Sequence, residues 1–211
     1  KKDLIESVLN VHIVGLNINF SWEIIEHENW HLNWKNNFNP IQIKDELIII
    51  PNWDNNIYNH KHIVKIKPGM AFGTGHHETT FLMLKNLIKY INKNDRVLDL
   101  GSGSGILSIV SYMYNASKIT AIEYDKDCKD NFLENLQINN INNNNIELII
   151  DDVLTFEDFN YDIILANINK NIIKDLLPKL KKTNAKILLS GIIDQDELEI
   201  KSLLKLYNMN L

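Results

Sequence analysis

Cysteine, arginine and proline are scarce in this chain of 211 residues. Cys128 is the single cysteine, Arg96 is the single arginine, and there are only 4 prolines. One cysteine excludes an internal disulfide and fits a reducing compartment. No apolar run approaches the roughly 20 residues that span a membrane. The first residues, Lys1 to Leu4, contain no signal-peptide core. We therefore predict a cytoplasmic protein with no membrane partner.

A surplus of positive charge is also missing. The 22 Lys and Arg residues against 27 Asp and Glu residues leave a net charge of −5. General nucleic-acid binders usually carry a basic surplus. Direct binding of nucleic acid is therefore not expected, whereas a basic protein partner stays open.

Three residue types are in excess, with 33 Ile, 31 Asn and 21 Lys in the sequence. An asparagine-rich composition can indicate a disordered or prion-like segment. The alternative is a nucleotide bias, because all three residues have A/T-rich codons. Since asparagine is spread along the whole chain, we favour the bias. On this interpretation the asparagines are background, with Asn167 as the one exception.

The pattern of the chain changes near residue 60, which predicts a partial N-terminal region over 1–60 and a second domain over 61–211. Residues 12–20 alternate like a strand, and residues 40–51 look like two short strands around a Lys-Asp-Glu turn. All four tryptophans fall in the first region. They indicate a small aromatic core or interdomain seam, or alternatively a protein-docking surface.

From residue 61 onward, strands and helices alternate. Runs such as Val97–Leu100 and Ile163–Leu165 are short, apolar and bounded by turns, which is typical of strands buried on both faces. An α/β fold with a doubly wound, mostly parallel sheet is therefore predicted. The predicted strands are 63–66, 96–100, 118–123, 146–150, 161–166 and 185–190, and the predicted helices are 77–91, 105–114, 126–139, 170–181 and 194–207.

A glycine-rich loop joins a predicted strand to a helix at Gly101-Ser102-Gly103-Ser104-Gly105. Glycine lets a ligand approach the backbone closely, and the helix that follows presents unpaired N–H groups. Glu123 ends the next strand, where a carboxylate can accept both hydroxyls of a ribose. The spacing differs from the dinucleotide pattern G-x-G-x-x-G. It favours an adenosine ligand without a pyrophosphate, and S-adenosylmethionine is the candidate; the alternative is a tight turn with a solvated glutamate.

Polar residues also end the later strands. Asp151 and Asp152 could accept from an adenine amino group, although solvation explains them equally well. Asn167 ends the strand after that, at the sheet edge where ligands of parallel sheets bind. Its amide can hydrogen-bond an incoming amine, or it can cap the next helix.

A second unusual segment precedes the sheet. Three glycines, two histidines and three threonines are too many for a plain connector. The segment reads Lys67-Pro68-Gly69-Met70-Ala71-Phe72-Gly73-Thr74-Gly75-His76-His77-Glu78-Thr79-Thr80. Together with Val97–Leu107, Ala166–Ile168, Leu189–Ile192 and the upstream Asn29–Pro40, it resembles the ribosomal protein L11 methyltransferase family, over roughly residues 20–195.

The resemblance implies a Rossmann-like class I methyltransferase domain behind a small α/β region that docks the substrate. It implies S-adenosylmethionine as cofactor, and ribosomal protein L11 as the partner that is methylated on lysine side chains and on its α-amino group. It also implies cofactor contacts at Thr80, Gly101, Glu123 and Asn167, and we add Gly103 of the same loop. Glu123 stands where the family commonly has Asp, and its longer carboxylate should still reach a ribose.

The resemblance also suggests that both ends of the chain are abbreviated. A complete docking domain would begin before Lys1, and a complete sheet would need a further hairpin after Tyr207. An uncovered strand edge is a liability for stability. A monomer is expected.

The expected reaction is a direct attack of a neutral amine on a sulfonium methyl group. Positioning and desolvation supply most of such catalysis. Asn167 is the predicted catalytic residue, because it can orient the amine. His76 or His77 is an unproved candidate base. A metal site is not expected, because His60 and His62 lack further placed ligands.

Three rival functions remain open at this point. The chain could be a methyltransferase of the same fold that acts on RNA or a small molecule. It could be a nicotinamide dehydrogenase. It could also be a cofactor-binding module without catalysis.

Overall fold

The computed structural model describes residues 40–68, 78–142 and 144–210. Predictions for residues 1–39 and for residues 69–77 lie outside this part of the chain. The strands are β1 (Ile41–Ile43), β2 (Leu47–Pro51), β3 (His62–Ile66), β4 (Arg96–Leu100), β5 (Lys118–Glu123), β6 (Glu147–Ile150), β7 (Ile163–Asn167) and β8 (Lys186–Ser190). The helices are α1 (Glu78–Tyr90), α2 (Ile106–Met113), α3 (Cys128–Ile138), α4 (Lys170–Leu180) and α5 (Glu197–Leu206), and a short 3₁₀ turn (Asp194–Asp196) precedes α5.

Five parallel strands form the main sheet, in the order β6-β5-β4-β7-β8. The chain leaves β4 toward β6 on one side, and it then returns to the other side of β4 for β7 and β8. The strand order therefore reverses at β4. Sheets of this type bind ligands in a crevice outside the carboxyl ends of the strands at such a point, which here are the ends of β4, β5 and β7. The predicted fold class is confirmed, as are the predicted strands within a few residues at their ends.

Two layers of side chains cover this sheet. Val97 and Leu165 face a core that helices α1, α2 and α3 complete, and Phe132 of α3 is among its largest fully buried side chains. Leu98 and Leu100 face the opposite core, which α4 closes. Alternate residues of β4 thus enter different cores, as the period of a strand requires. Isoleucine and leucine fill most of these positions, which explains the short apolar runs in the sequence.

A second sheet contains β1, β2 and β3. Strands β1 and β2 pair antiparallel around the turn at residues 44–46, as predicted. The sequence pattern groups residues 63–66 with the strands that follow, and that grouping is wrong, because β3 pairs parallel with β2 instead. Val64 and Ile66 of β3 are fully buried in the core that they share with α1 and α2. Strand β3 thus lies after the boundary predicted between residues 60 and 61, but it pairs with β2, which lies before that boundary.

An asparagine stripe on α3 borders the other edge of β3. Asn131, Asn135 and Asn139 are four residues apart and so lie on one face of the helix. Asn139 accepts from the Lys65 N–H at 2.9 Å and donates to the Lys65 carbonyl at 2.7 Å. Asn135 accepts from the Lys67 N–H at 2.8 Å, and Asn131 donates to the Lys67 carbonyl at 2.9 Å.

These amides take the place of a neighbouring strand, because they satisfy backbone groups that a strand edge otherwise exposes. The interpretation of every asparagine except Asn167 as compositional background is therefore wrong for this stripe. Nucleotide bias explains why asparagine is abundant, whereas the position of these three on one helix face is structural. Among the described helices, none is both long enough and apolar enough to cross a membrane.

Candidate active site

The glycine loop between β4 and α2 is held by the neighbouring strand. The N–H groups of Gly101 and Ser102 both donate to the carbonyl of Ile122, at 2.9 and 3.0 Å. Gly101 has a positive φ of 73°, and a Cβ there would lie 2.4 Å from Cγ2 of Ile168. A side chain at this position would collide with the end of β7. The sequence thus needs glycine here for the close packing of two strand ends.

Glu123 lies at the end of β5, beside this loop. Its Oε2 accepts from the Gly103 N–H at 2.8 Å, and its Oε1 accepts from the Asp125 N–H at 3.0 Å. A carboxylate offers about four acceptor positions, so two backbone donors leave capacity for two hydroxyl groups. The backbone also fixes the orientation of the carboxylate. The structure brings Glu123, Gly101 and Gly103 together, as the spacing in the sequence predicted.

Asn167 ends β7 and contacts the first turn of α1. Its Nδ2 donates to Oγ1 of the fully buried Thr80 at 3.2 Å. Its Oδ1 is buried and has no hydrogen-bond partner among the described residues. The alternative role as a helix cap belongs to Asn169, whose side chain accepts from the Ile172 N–H at 3.2 Å. The amide oxygen of Asn167 thus has hydrogen-bonding capacity that the described residues do not use.

Asp99 was not among the predicted site residues, although it is a charged residue within an apolar strand. It is completely buried in β4, where its Oδ2 accepts from Oγ of Ser108 at 2.7 Å. Burial raises the pKa of the Asp99 carboxyl to about 6, and the nearby charge of Glu123 raises it further while the Ser108 hydrogen bond opposes the change. Its Oδ1 and the Oγ of Ser102 are buried without a partner among the described residues.

The turn after β8 supports the end of β7. Gly191 has a φ of 91°, and a Cβ there would lie 2.1 Å from the carbonyl oxygen of Ile168. Ile168 is therefore packed between Gly101 and Gly191, directly after Asn167. The segment Leu189–Ile192 contributes to the family resemblance, but its sequence alone does not reveal the contact between Gly191 and Ile168.

Asp151 and Asp152 lie at the carboxyl end of β6. Asp152 accepts from the Leu154 N–H at 2.9 Å, and Asp151 accepts from the Asp152 N–H at 2.8 Å. Both side chains thus order the local turn, and the contact with adenine stays a prediction. Of the histidine candidates, His76 and His77 lie outside the described residues. His62 packs on the ring of Tyr114 at 4.7 Å, and burial lowers the pKa of the imidazole.

Comparison with known proteins decides the family. The sequence profile of the family described as ribosomal protein L11 methyltransferase (PrmA) matches residues 1–209. The chain belongs to the ribosomal protein L11 methyltransferase family. A family member from Prochlorococcus marinus strain MIT 9312 is 33% identical over 217 residues, which cover 99% of this chain and 71% of the relative. One from Acetivibrio thermocellus is 36% identical over 183 residues, which cover 83% of this chain and 57% of the relative.

The crystal structure of a ribosomal protein L11 methylase from Lactobacillus delbrueckii subsp. bulgaricus has the same fold. It is 28% identical, with a TM-score of 0.73, and the match covers 81% of this chain and 89% of that one. A putative methyltransferase, SMU.776, solved with S-adenosylhomocysteine, is 18% identical with a TM-score of 0.52. That likeness adds support for the class I methyltransferase fold.

The residues at the crevice are chemically suited to the cofactor of an L11 methyltransferase. A carboxylate with free acceptor capacity stands beside a loop that only glycine can form. Three buried polar atoms around it, on Asp99, Ser102 and Asn167, lack a partner among the described residues. Buried polar groups are rarely left unpaired in native proteins. A polar ligand with several hydroxyl and amino groups fits this arrangement. Among residues 40–68, 78–142 and 144–210, no three His, Cys, Asp or Glu side chains cluster as metal ligands.

Proposed function

We propose that the protein transfers methyl groups from S-adenosylmethionine to amines of ribosomal protein L11, on lysine side chains and on the α-amino group. One observation carries the proposal. The Glu123 carboxylate, the glycine loop and the Asn167–Thr80 pair come from three strand ends and a helix, and they meet at the crevice of a doubly wound sheet. The family to which the chain belongs supplies the substrate.

The cofactor contacts in this proposal are Thr80, Gly101, Gly103, Glu123 and Asn167. Glu123 would hold the ribose hydroxyls, because its two backbone contacts leave acceptor positions unused. Gly101 lets the loop pack against Ile168, which fixes the backbone that the ligand would meet. S-adenosylmethionine supplies a sulfonium methyl group, which is an electrophile without further activation. The chain then needs to bind and orient the cofactor and the amine and to exclude water from them. It needs no covalent nucleophile.

Asn167 is the residue that we assign to orienting the amine. A lysine amine has a pKa of about 10.4 in water and must be neutral to attack. The Oδ1 of Asn167 can accept from an amine N–H, while Thr80 fixes the other end of the amide. This contact directs the nitrogen lone pair away from Asn167. A site that excludes water favours the neutral amine, because burial disfavours the charged form.

Mass spectrometry of L11 after incubation with the protein and S-adenosylmethionine tests the proposal. Mass increases of 14 Da per methyl group on lysines and on the N-terminus are expected, as a matter of reaction stoichiometry. A parallel reaction with labelled methyl groups and total RNA tests the rival substrate. Label in RNA alone would favour an RNA methyltransferase. S-adenosylhomocysteine binding without any transfer would favour a binding module, and NAD binding alone would exclude both methyltransferase hypotheses.

We also propose that residues 1–60 contribute to docking of the protein substrate and that residues 61–211 carry the transfer. β1 and β2 fall in the first range but pair with β3. The protein is proposed to act as a monomer.

A further inference from the structure

Asn135 differs from the other two asparagines of the α3 stripe. Its side chain is completely buried, and both ends of its amide are engaged in separate parts of the fold. Oδ1 accepts from the Lys67 N–H at 2.8 Å, and Nδ2 donates to the Ser104 carbonyl at 2.9 Å. Ser104 lies inside the glycine loop, whereas Lys67 follows β3. A single side chain thus joins β3 to the loop.

The Ser104 carbonyl lies between Gly103 and Gly105, two glycines of the loop that contact neighbouring elements. On one side is Gly103, which donates to Glu123. On the other is Gly105, where a Cβ would lie 2.8 Å from the ring of Phe132. Both Phe132 and Asn135 belong to α3. Helix α3 therefore holds the loop by one apolar contact and one hydrogen bond.

We propose that Asn135 is a positioning residue for the cofactor, which keeps the glycine loop in its binding conformation by holding the Ser104 carbonyl. This inference rests on the proposed function, because it assumes that the loop binds the adenosine cofactor. It adds a residue outside the crevice to that site. Asn135 acts through the loop backbone and does not touch the reacting atoms.

The chemistry of the amide explains why this position holds asparagine. The site requires one acceptor for Lys67 and one donor for Ser104 at the same time. Among short side chains, an amide provides both in a neutral group, whereas a carboxylate only accepts and leucine does neither. Loss of the donor would remove this hydrogen bond between α3 and the loop, so the loop would be held less firmly in its conformation.

Asn139 offers a matched control. It makes the same kind of contact with β3, through the N–H and carbonyl of Lys65. Its Nδ2 also donates to the Asn135 carbonyl, and none of these three bonds reaches the glycine loop. Asn135→Leu and Asn139→Leu remove similar polar groups from the same helix face. Asn135 is buried and Asn139 is half-buried, so urea unfolding of each variant supplies the loss of stability for comparison. A purely structural role predicts that binding falls only as far as the loss of stability explains, whereas positioning of the cofactor predicts a larger loss of binding in Asn135→Leu.

The experiment measures S-adenosylhomocysteine binding to the full chain by calorimetry, with urea unfolding of each variant and methyl transfer to L11. We expect Asn135→Leu to weaken binding about tenfold and to raise the KM for S-adenosylmethionine similarly, with kcat changed by less than about threefold. Asn139→Leu should leave binding unchanged. Asn135→Ser also removes the bond to Ser104 and leaves a hydroxyl that can bond to its own helix, so it serves if the leucine variant fails to fold.

Two outcomes overturn the inference while the proposed function stands. One is that the wild-type protein binds S-adenosylhomocysteine and that Asn135→Leu or Asn135→Ser binds it equally tightly. The other is an equal loss in Asn139→Leu, which would assign the effect to stability. Failure of the wild-type protein to bind S-adenosylhomocysteine would overturn the proposed function and this inference together.

Discussion

At the scale of single residues, the site depends on side chains whose orientation the backbone fixes. Glu123 accepts from two N–H groups of its own neighbourhood, and Asn167 is held by Thr80. Little freedom is then lost when a ligand binds, which favours affinity. Asp99 shows a different principle, because its carboxyl is buried and accepts from the Ser108 hydroxyl.

Glu123→Ala should weaken S-adenosylhomocysteine binding by about 100-fold or more, because two hydrogen bonds to a charged group are lost at about 1.5–3 kcal/mol each. Calorimetry measures this loss. Glu147→Ala is the control, since this acid lies at the opposite end of the neighbouring strand and accepts from Thr120. Unchanged binding in Glu123→Ala, with the variant folded, would contradict the role in holding ribose.

The positions of the glycine loop and of Glu123 at two strand ends could be predicted because their signal is local. A glycine loop after a strand and an acid at the end of the next strand can be recognised by spacing alone. Asn135 could not be predicted in this way, because a polar residue on a helix usually faces solvent and its partners lie 68 and 31 residues away. Asp99 could be seen as an anomaly in an apolar strand, but its burial depends on α2.

At the scale of elements, the strand ends support one another. Ile168 follows β7 and packs between the glycine loop after β4 and the turn after β8. The pairing of β3 with β2 shows the limit of pattern analysis at this scale. The residues of β3 indicate a strand, but they carry no information on which strand is its neighbour.

Gly191→Ala tests the support of β7 by the turn after β8. The new Cβ would strain a φ of 91° and would approach the Ile168 carbonyl to 2.1 Å. We expect a loss of more than about 1 kcal/mol in the free energy of unfolding, measured by urea titration. Methyl transfer should fall as well, because Asn167 precedes Ile168. Full stability and activity in this variant would show that the contact is dispensable.

At the scale of the whole molecule, the buried Asp99 links folding to pH. Burial raises its pKa from 3.8 to about 6, so the folded protein keeps a proton that the unfolded chain has lost between these values. The contribution of this group to stability is therefore largest below about pH 4. It decreases as the pH rises to about 6 and is constant above that.

Asp99→Asn removes this dependence and keeps an acceptor for Ser108. We expect the variant to gain stability over the wild type as the pH rises from 4 to 6, up to on the order of 3 kcal/mol. Urea unfolding of both proteins from pH 4 to 8 measures the difference. Asp175→Asn, at an exposed position of α4, is the control. A constant difference between Asp99→Asn and the wild type across this range would contradict the predicted titration.

The edge strand β8 is also a feature of the whole molecule. Among the described strands it pairs only with β7, and a groove of about 730 Å³ runs along it. Residues of α1 and α5 line this groove together with β8, and it is separate from the crevice at the glycine loop. An edge of this kind can pair with another strand.

The contact between Asn167 and Thr80 has a kinetic consequence. It closes a loop of 87 residues, whereas the contact between Glu123 and Gly103 closes one of only 20. Chain entropy makes the longer closure about 1.3 kcal/mol more costly. Loop closure therefore favours earlier assembly of the half of the crevice that would hold the ribose. The half that would orient the amine forms only after β7 has joined the sheet.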